Sequence, residues 1–116
     1  MIFENYDLLP KQNYQVTIFG SGPAGITLAL ELEKKKIKSL IIEAGEMTYS
    51  ENSQQNYKSK IIGDVITDLR DSRLRQFGGT SGHWGGWCKP MEDWNIKKWN
   101  LDPNEINKYS VKACEI

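Results

Sequence analysis

The sequence predicts an α/β fold built on a parallel strand–helix–strand unit, and three observations carry that expectation. Tyr14-Gln15-Val16-Thr17-Ile18-Phe19 is a short apolar, β-branched run with strand character. Gly20-Ser21-Gly22-Pro23-Ala24-Gly25 follows at once and opens a helix-forming segment, Ile26 to Lys36. Ser39-Leu40-Ile41-Ile42-Glu43 then reads as a second strand ending in an acid. Strand, glycine turn, helix, strand and acid stand in the order that a dinucleotide-binding unit requires. The alternative for the same pattern is a plain helix crossover between two strands, with no ligand.

Each position has its own physical reason. Gly20 is expected to end the strand in a turn that a side chain would obstruct. Gly22 lets the backbone approach a pyrophosphate, and Gly25 lets the helix pack closely on the strand. Pro23 suits the first helical turn, because its φ is pre-set and its missing N–H would be unpaired there. The free N–H groups around Pro23 and Ala24 and the positive end of the helix dipole then face a diphosphate. Glu43 follows Gly25 by 18 residues, close to the ~20 expected for an acid that accepts hydrogen bonds from a ribose. A carboxylate there repels a 2′-phosphate, which disfavours NADP. The candidate dinucleotide contacts are therefore Gly20, Gly22, Pro23, Ala24, Gly25 and Glu43.

With 116 residues, the chain has room for one domain of ordinary size. Its 39% hydrophobic and 26% charged residues fit a globular protein. Fifteen basic residues balance fifteen acidic ones, so no field draws nucleic acid or an anionic membrane. No run approaches the ~20 apolar residues of a membrane span, and Met1 to Lys11 lacks the pattern of a signal peptide. Cys88 and Cys114 are two and far apart, which suggests neither a disulfide framework nor a metal site. The expected location is the cytoplasm.

Later segments are less regular. Glu46 to Lys60 is polar and reads as an exposed loop or weak helix; Ile61 to Val65 is ambiguous between strand and helical turn. No further strand run is convincing, and two parallel strands do not make a doubly wound sheet. Asp102-Pro103-Asn104-Glu105 looks like a helix start, with Asp102 as cap and Glu105 completing a capping box. The helix runs to Ile116 without a terminator, so the expectation is the N-terminal portion of a larger protein, its substrate domain and catalytic C-terminal part lying elsewhere.

The second informative stretch is Phe77-Gly78-Gly79-Thr80-Ser81-Gly82-His83-Trp84-Gly85-Gly86, with five glycines in the nine residues from Gly78 to Gly86. Such a density suits backbone lying against a ligand. Successive N–H groups, with the Thr80 and Ser81 hydroxyls, can form a concave nest for an anion or a ring. A glycine-rich surface loop or a linker is the plainer alternative.

Gly20–Gly25, Glu43-Ala44-Gly45 and above all this second stretch resemble the glucose–methanol–choline (GMC) oxidoreductases, and within them the branch of pyranose oxidases and related sugar dehydrogenases. The resemblance runs from about Tyr14 to Ala113 and matches only the beginning of a family member. It implies a partial Rossmann-type FAD-binding domain: a βαβ unit plus a glycine-rich flavin-contacting segment. By resemblance, Gly20, Gly22 and Gly25 face the FAD diphosphate and Glu43 the adenosine ribose. Gly78, Gly79, Thr80, Ser81, His83 and Trp84 contact the flavin side. His83 stands where pyranose oxidases attach FAD through histidine. Three roles stay open for it: covalent flavin attachment, ordinary FAD packing, or a hydrogen-bonded loop histidine.

The implied function is oxidation of a CH–OH group of an alcohol or sugar, with hydride passing to FAD. The family's catalytic base comes from its C-terminal part, so no catalytic residue is assigned here. Substrate, electron acceptor and oligomeric state are likewise unassigned. Two alternatives accompany this expectation: an FAD-binding subunit completed by a partner chain, and a non-catalytic dinucleotide-binding remnant. Trp84, Trp87, Trp94 and Trp99 are expected in core or interdomain packing rather than on a sugar. Arg70, Arg73 and Arg75 are expected on a solvated face, Lys34-Lys35-Lys36 at a helix end, and Cys88 as a small buried residue.

Overall fold

The computed structural model describes residues 1–64, 67–83 and 89–114. Among these the chain is mixed α/β and divides into two compact units, Met1–Trp84 and Gly85–Ile116.

Unit 1 is built on the expected parallel pair. Strand β1 (Val16–Phe19) and strand β2 (Ser39–Ile42) pair in register from Val16 opposite Ser39 to Phe19 opposite Ile42. The Gly20 N–H donates to the Ile42 carbonyl at 2.8 Å, extending the ladder into the glycine turn. Between the strands runs helix α1 (Pro23–Lys34), with Pro23 in its first turn as its ring chemistry favours. The crossover is too long for a hairpin, so the strands lie parallel.

Helix α1 stops through its backbone. Lys36 takes a left-handed conformation, φ 60°, and its N–H donates to the Glu33 carbonyl at 2.8 Å while the Ile37 N–H donates to Leu32 at 2.9 Å. This is the double bond of a Schellman ending, made here without glycine. Lys34 lies in the last turn, where its charge suits the dipole.

Ile18 of β1 is buried and close to α1. The opposite face is exposed at its carboxyl end among the described residues. Phe19 is 80% exposed and its register partner Ile42 41% exposed, whereas a parallel sheet is ordinarily covered on both faces.

Of the two readings for the polar stretch after β2, exposed loop or weak helix, the structure takes the helix over part of it. It forms helix α2 (Glu51–Gln54), capped by Ser50, whose side chain accepts from Ser53, and continues as a 3₁₀ turn, Gln55–Tyr57. Ser53 and Gln54 are buried. The reason lies in helix α3 (Leu69–Ser72) and the residues that follow it. Gln54 donates through Nε2 to the carbonyls of Arg70 (2.6 Å) and Arg73 (2.5 Å) and accepts from the Arg75 N–H at 3.1 Å. Arg75 is not on a solvated face either: it is half-buried, and its guanidinium donates to Ser53 Oγ at 3.0 Å. Residues 61–64 are exposed and belong to neither strand nor helix.

Unit 2 carries helices α4 (Asp93–Lys98) and α5 (Pro103–Ala113). Ile96 is buried there. Asn100, at φ 57°, ends α4 in a second Schellman pattern, with Leu101 N–H donating to Ile96 at 3.3 Å. Asp102 caps α5 as expected, but its carboxylate accepts from Asn104 rather than from Glu105, so the capping box is not formed. Trp94 and Trp99 are exposed and so are not core residues of this unit, the first of the two packings expected for them; Lys98 lies over the Trp94 ring, 4.8 Å from its centroid. Trp87 and Cys88 fall outside the described residues, and Cys114 is free and exposed.

Candidate functional site

The first glycine turn forms for reasons that separate its three glycines. Gly20 has φ 96°, a conformation side chains rarely adopt, yet nothing lies within 4 Å of where its Cβ would stand. The backbone angle, not the expected obstruction, requires glycine there. At Gly25 the demand is steric: a Cβ would sit 2.1 Å from the Gly20 carbonyl oxygen and 3.3 Å from an Ile18 methyl. Close helix–strand packing is thus the reason for Gly25, as expected. Gly22 is extended, φ −66° and ψ 174°, and open space surrounds its Cβ position. No side chain caps α1 among the described residues, so its first N–H groups border that open space.

The second glycine stretch folds back onto the first. Phe77 N–H donates to the Glu46 carbonyl at 2.8 Å, and Glu46 pairs with Gln76 in an isolated parallel bridge. Gly45 makes the approach possible, since a Cβ there would lie 2.3 Å from the Arg75 carbonyl. Gly78 and Gly79 then turn the chain at φ 82° and 63°. At Gly79 a Cβ would stand 3.6 Å from Gly22 Cα, so the two glycine segments meet backbone to backbone.

The first amides of this turn are already engaged. Gly78 N–H donates to Ser21 Oγ at 3.0 Å, and Gly79 N–H to the Gln76 carbonyl at 2.9 Å. Thr80 Oγ1 accepts from Leu74 N–H at 3.1 Å, and the Ser81 hydroxyl donates to the Gly78 carbonyl at 2.7 Å. The expected nest of free amides therefore does not extend to Gly78 and Gly79. Their contribution is shape, because Ser21 Oγ takes the Gly78 donor and the Gln76 carbonyl the Gly79 donor. Gly79–His83 continues as a 3₁₀ helix ending at His83, which is exposed. Trp84 lies outside the described residues.

Glu43, just past β2, ties the turn together. Its Oε2 accepts from Ser21 N–H at 2.8 Å and from Ser21 Oγ at 2.7 Å, and its Oε1 accepts from Gly45 N–H at 2.8 Å. Partial burial alone would raise its pKa, but hydrogen bonds from Ser21, Gly45 and Ala44 outweigh that and hold it below the ordinary value. Among the described residues Gly45 N–H is the one donor that meets Oε1 at full hydrogen-bond geometry, which leaves that oxygen a lone pair for a further donor such as a ribose hydroxyl.

Between the strand ends and the second segment lies an open cleft of about 360 Å³. Phe19, Gly20, Ile42, Glu43 and Ala44 form one side, with Leu74, Gln76, Gly79 and Thr80 on another, and Tyr57 also lines it. The cleft sits at the carboxyl ends of parallel strands, where open α/β sheets bind ligands. Its volume is at the low end for small-molecule sites, enough for one part of a dinucleotide. Sequence reasoning missed Tyr57, Leu74 and Gln76, whose placement depends on the Gln54 bonds; a buried glutamine in a polar run gave no signal. It also passed over Ser21.

Among the described residues no group of three or more His, Cys, Asp or Glu side chains could hold a metal ion, and no helix is long and apolar enough to cross a membrane. No protein-family model, no curated protein and no solved structure matches the chain.

Proposed function

We propose that unit 1 is the FAD-binding portion of a flavoprotein oxidoreductase acting on the CH–OH group of an alcohol or sugar. The observation that supports it most is the meeting of Gly22 and Gly79 across 57 residues of sequence. A crossover without ligand has no need of a second glycine turn laid on the first. The resemblance of that second segment to GMC oxidoreductases is what selects FAD among dinucleotides.

The residues present fit such a group. The free face of Gly22 and the uncapped start of α1, at Pro23, Ala24 and Gly25, suit a diphosphate. Glu43 has acceptor capacity left for a ribose hydroxyl. Gly79 and Thr80 wall the cleft. FAD, when bound, supplies the acceptor for the hydride of the CH–OH group; these residues bind and orient it. His83 is the candidate for covalent attachment, and mass measured under denaturing conditions reads that directly.

The test is titration of the purified chain with FAD, followed by flavin fluorescence, with ADP as competitor. Saturable binding displaced by ADP is expected. Absence of binding by either ligand would remove the proposal. A second reading, an FAD-binding subunit completed by a partner chain, is favoured by the exposed sheet face at Phe19 and Ile42. Recovery of a stable hetero-complex from the source would support it.

A further inference from the structure

Ser21 is fully buried, and its side chain joins three segments distant in sequence. The hydroxyl donates to Glu43 Oε2 at 2.7 Å and accepts from the Gly78 N–H at 3.0 Å. A hydroxyl has one proton to donate and lone pairs to accept, so the same oxygen serves both partners. On one side it grips the acid at the end of β2; on the other it holds the turn that places Gly79 against Gly22. Gly79 and Glu43 both line the cleft, and Ser21 connects the two walls from behind without lining it.

We propose that Ser21 is a positioning residue for this cleft: its hydroxyl latches the Gly78–Gly79 turn to Glu43 and so sets how tightly a nucleoside diphosphate is held. The proposal rests on the reading of unit 1 as a dinucleotide site. Alanine at position 21 keeps the Ser21 backbone N–H for Glu43 but leaves the Gly78 N–H without its acceptor. The turn then loses its tie to the strand end, while β1, α1 and β2 keep their own bonds.

The experiment compares the whole chain with Ser21→Ala by amide hydrogen exchange, and titrates both with ADP. In the variant, exchange at Gly78 rises about tenfold or more. Exchange at Ile26, whose N–H donates to the Gly22 carbonyl within α1, stays unchanged and shows that the variant folds. The ADP dissociation constant rises about tenfold, the loss of roughly one hydrogen bond's worth of preorganisation. Equal acceleration at Gly78 and Ile26 would overturn the proposal, because Ser21 would then act only on overall stability. Unchanged exchange at Gly78 would overturn the latch, and faster exchange with unchanged ADP affinity would overturn its bearing on binding. Should the unaltered chain bind no ADP, the dinucleotide reading and the ligand half of this proposal fall together, while exchange at Gly78 still decides the latch by itself.

Discussion

Gly79 lies against Gly22, close enough that a methyl group on the former would stand 3.6 Å from the Cα of the latter. This contact separates two glycines that a motif alone treats alike. Gly22 has an ordinary extended backbone and free space beyond it, whereas Gly25 has neither room nor freedom. Gly22→Val is therefore expected to keep the fold, with stability changed by less than about 1 kcal/mol, and to abolish dinucleotide binding. Gly25→Ala forces a carbon into the Gly20 carbonyl and should cost about 3 kcal/mol or more. Thermal unfolding of both variants beside an FAD titration checks the pair. Normal FAD affinity in Gly22→Val would contradict the assignment of the turn.

Glu43 gives the unit an acid-sensitive joint. Its folded pKa lies below the unfolded value, so its stabilisation is complete above the ordinary carboxylate range, about 4.3. It fades as the pH falls through that range and then through the lowered folded value. Glu43→Gln should remove this part of the acid sensitivity and lower stability at neutral pH. Urea unfolding of both proteins between neutral and acid pH measures it. Parallel pH profiles would show that the carboxylate does not carry the effect.

Gln54 is the buried brace of the segment that walls the cleft. Gln54→Leu keeps the volume but strips partners from the carbonyls of Arg70 and Arg73 and the N–H of Arg75. The expected cost is about 2–4 kcal/mol, since several backbone groups lose their partners at once. Denaturant unfolding reads the loss. Full stability in that variant would mean that water replaces the amide without penalty.

The parts of the fold legible in the sequence are those set by local pattern. The β1–α1–β2 unit follows from two short apolar runs around a glycine turn, and no boundary differs from expectation by more than three residues. Pro23 in the first turn of α1 and the Asp102 cap of α5 are readable for the same reason. What pattern did not reveal rests on long-range polar contacts. Ser53 and Gln54 look like solvated loop residues until Arg75 and the carbonyls of Arg70 and Arg73 come to meet them. Ser21 looks like a filler between two glycines, although it carries the tie from Glu43 to Gly78. Composition records the amides of Gly78 and Gly79 as donors but not the acceptors that meet them, Ser21 Oγ and the Gln76 carbonyl.

The proposed function requires a dinucleotide to lie where the two glycine segments meet. The most direct measurement is a backbone amide NMR titration of the chain with FAD. Shifts are expected at Gly20 to Gly25, at Glu43 and Ala44, and at Gly78 to Ser81, saturating together. Shifts confined to other residues, or none at all, would contradict it.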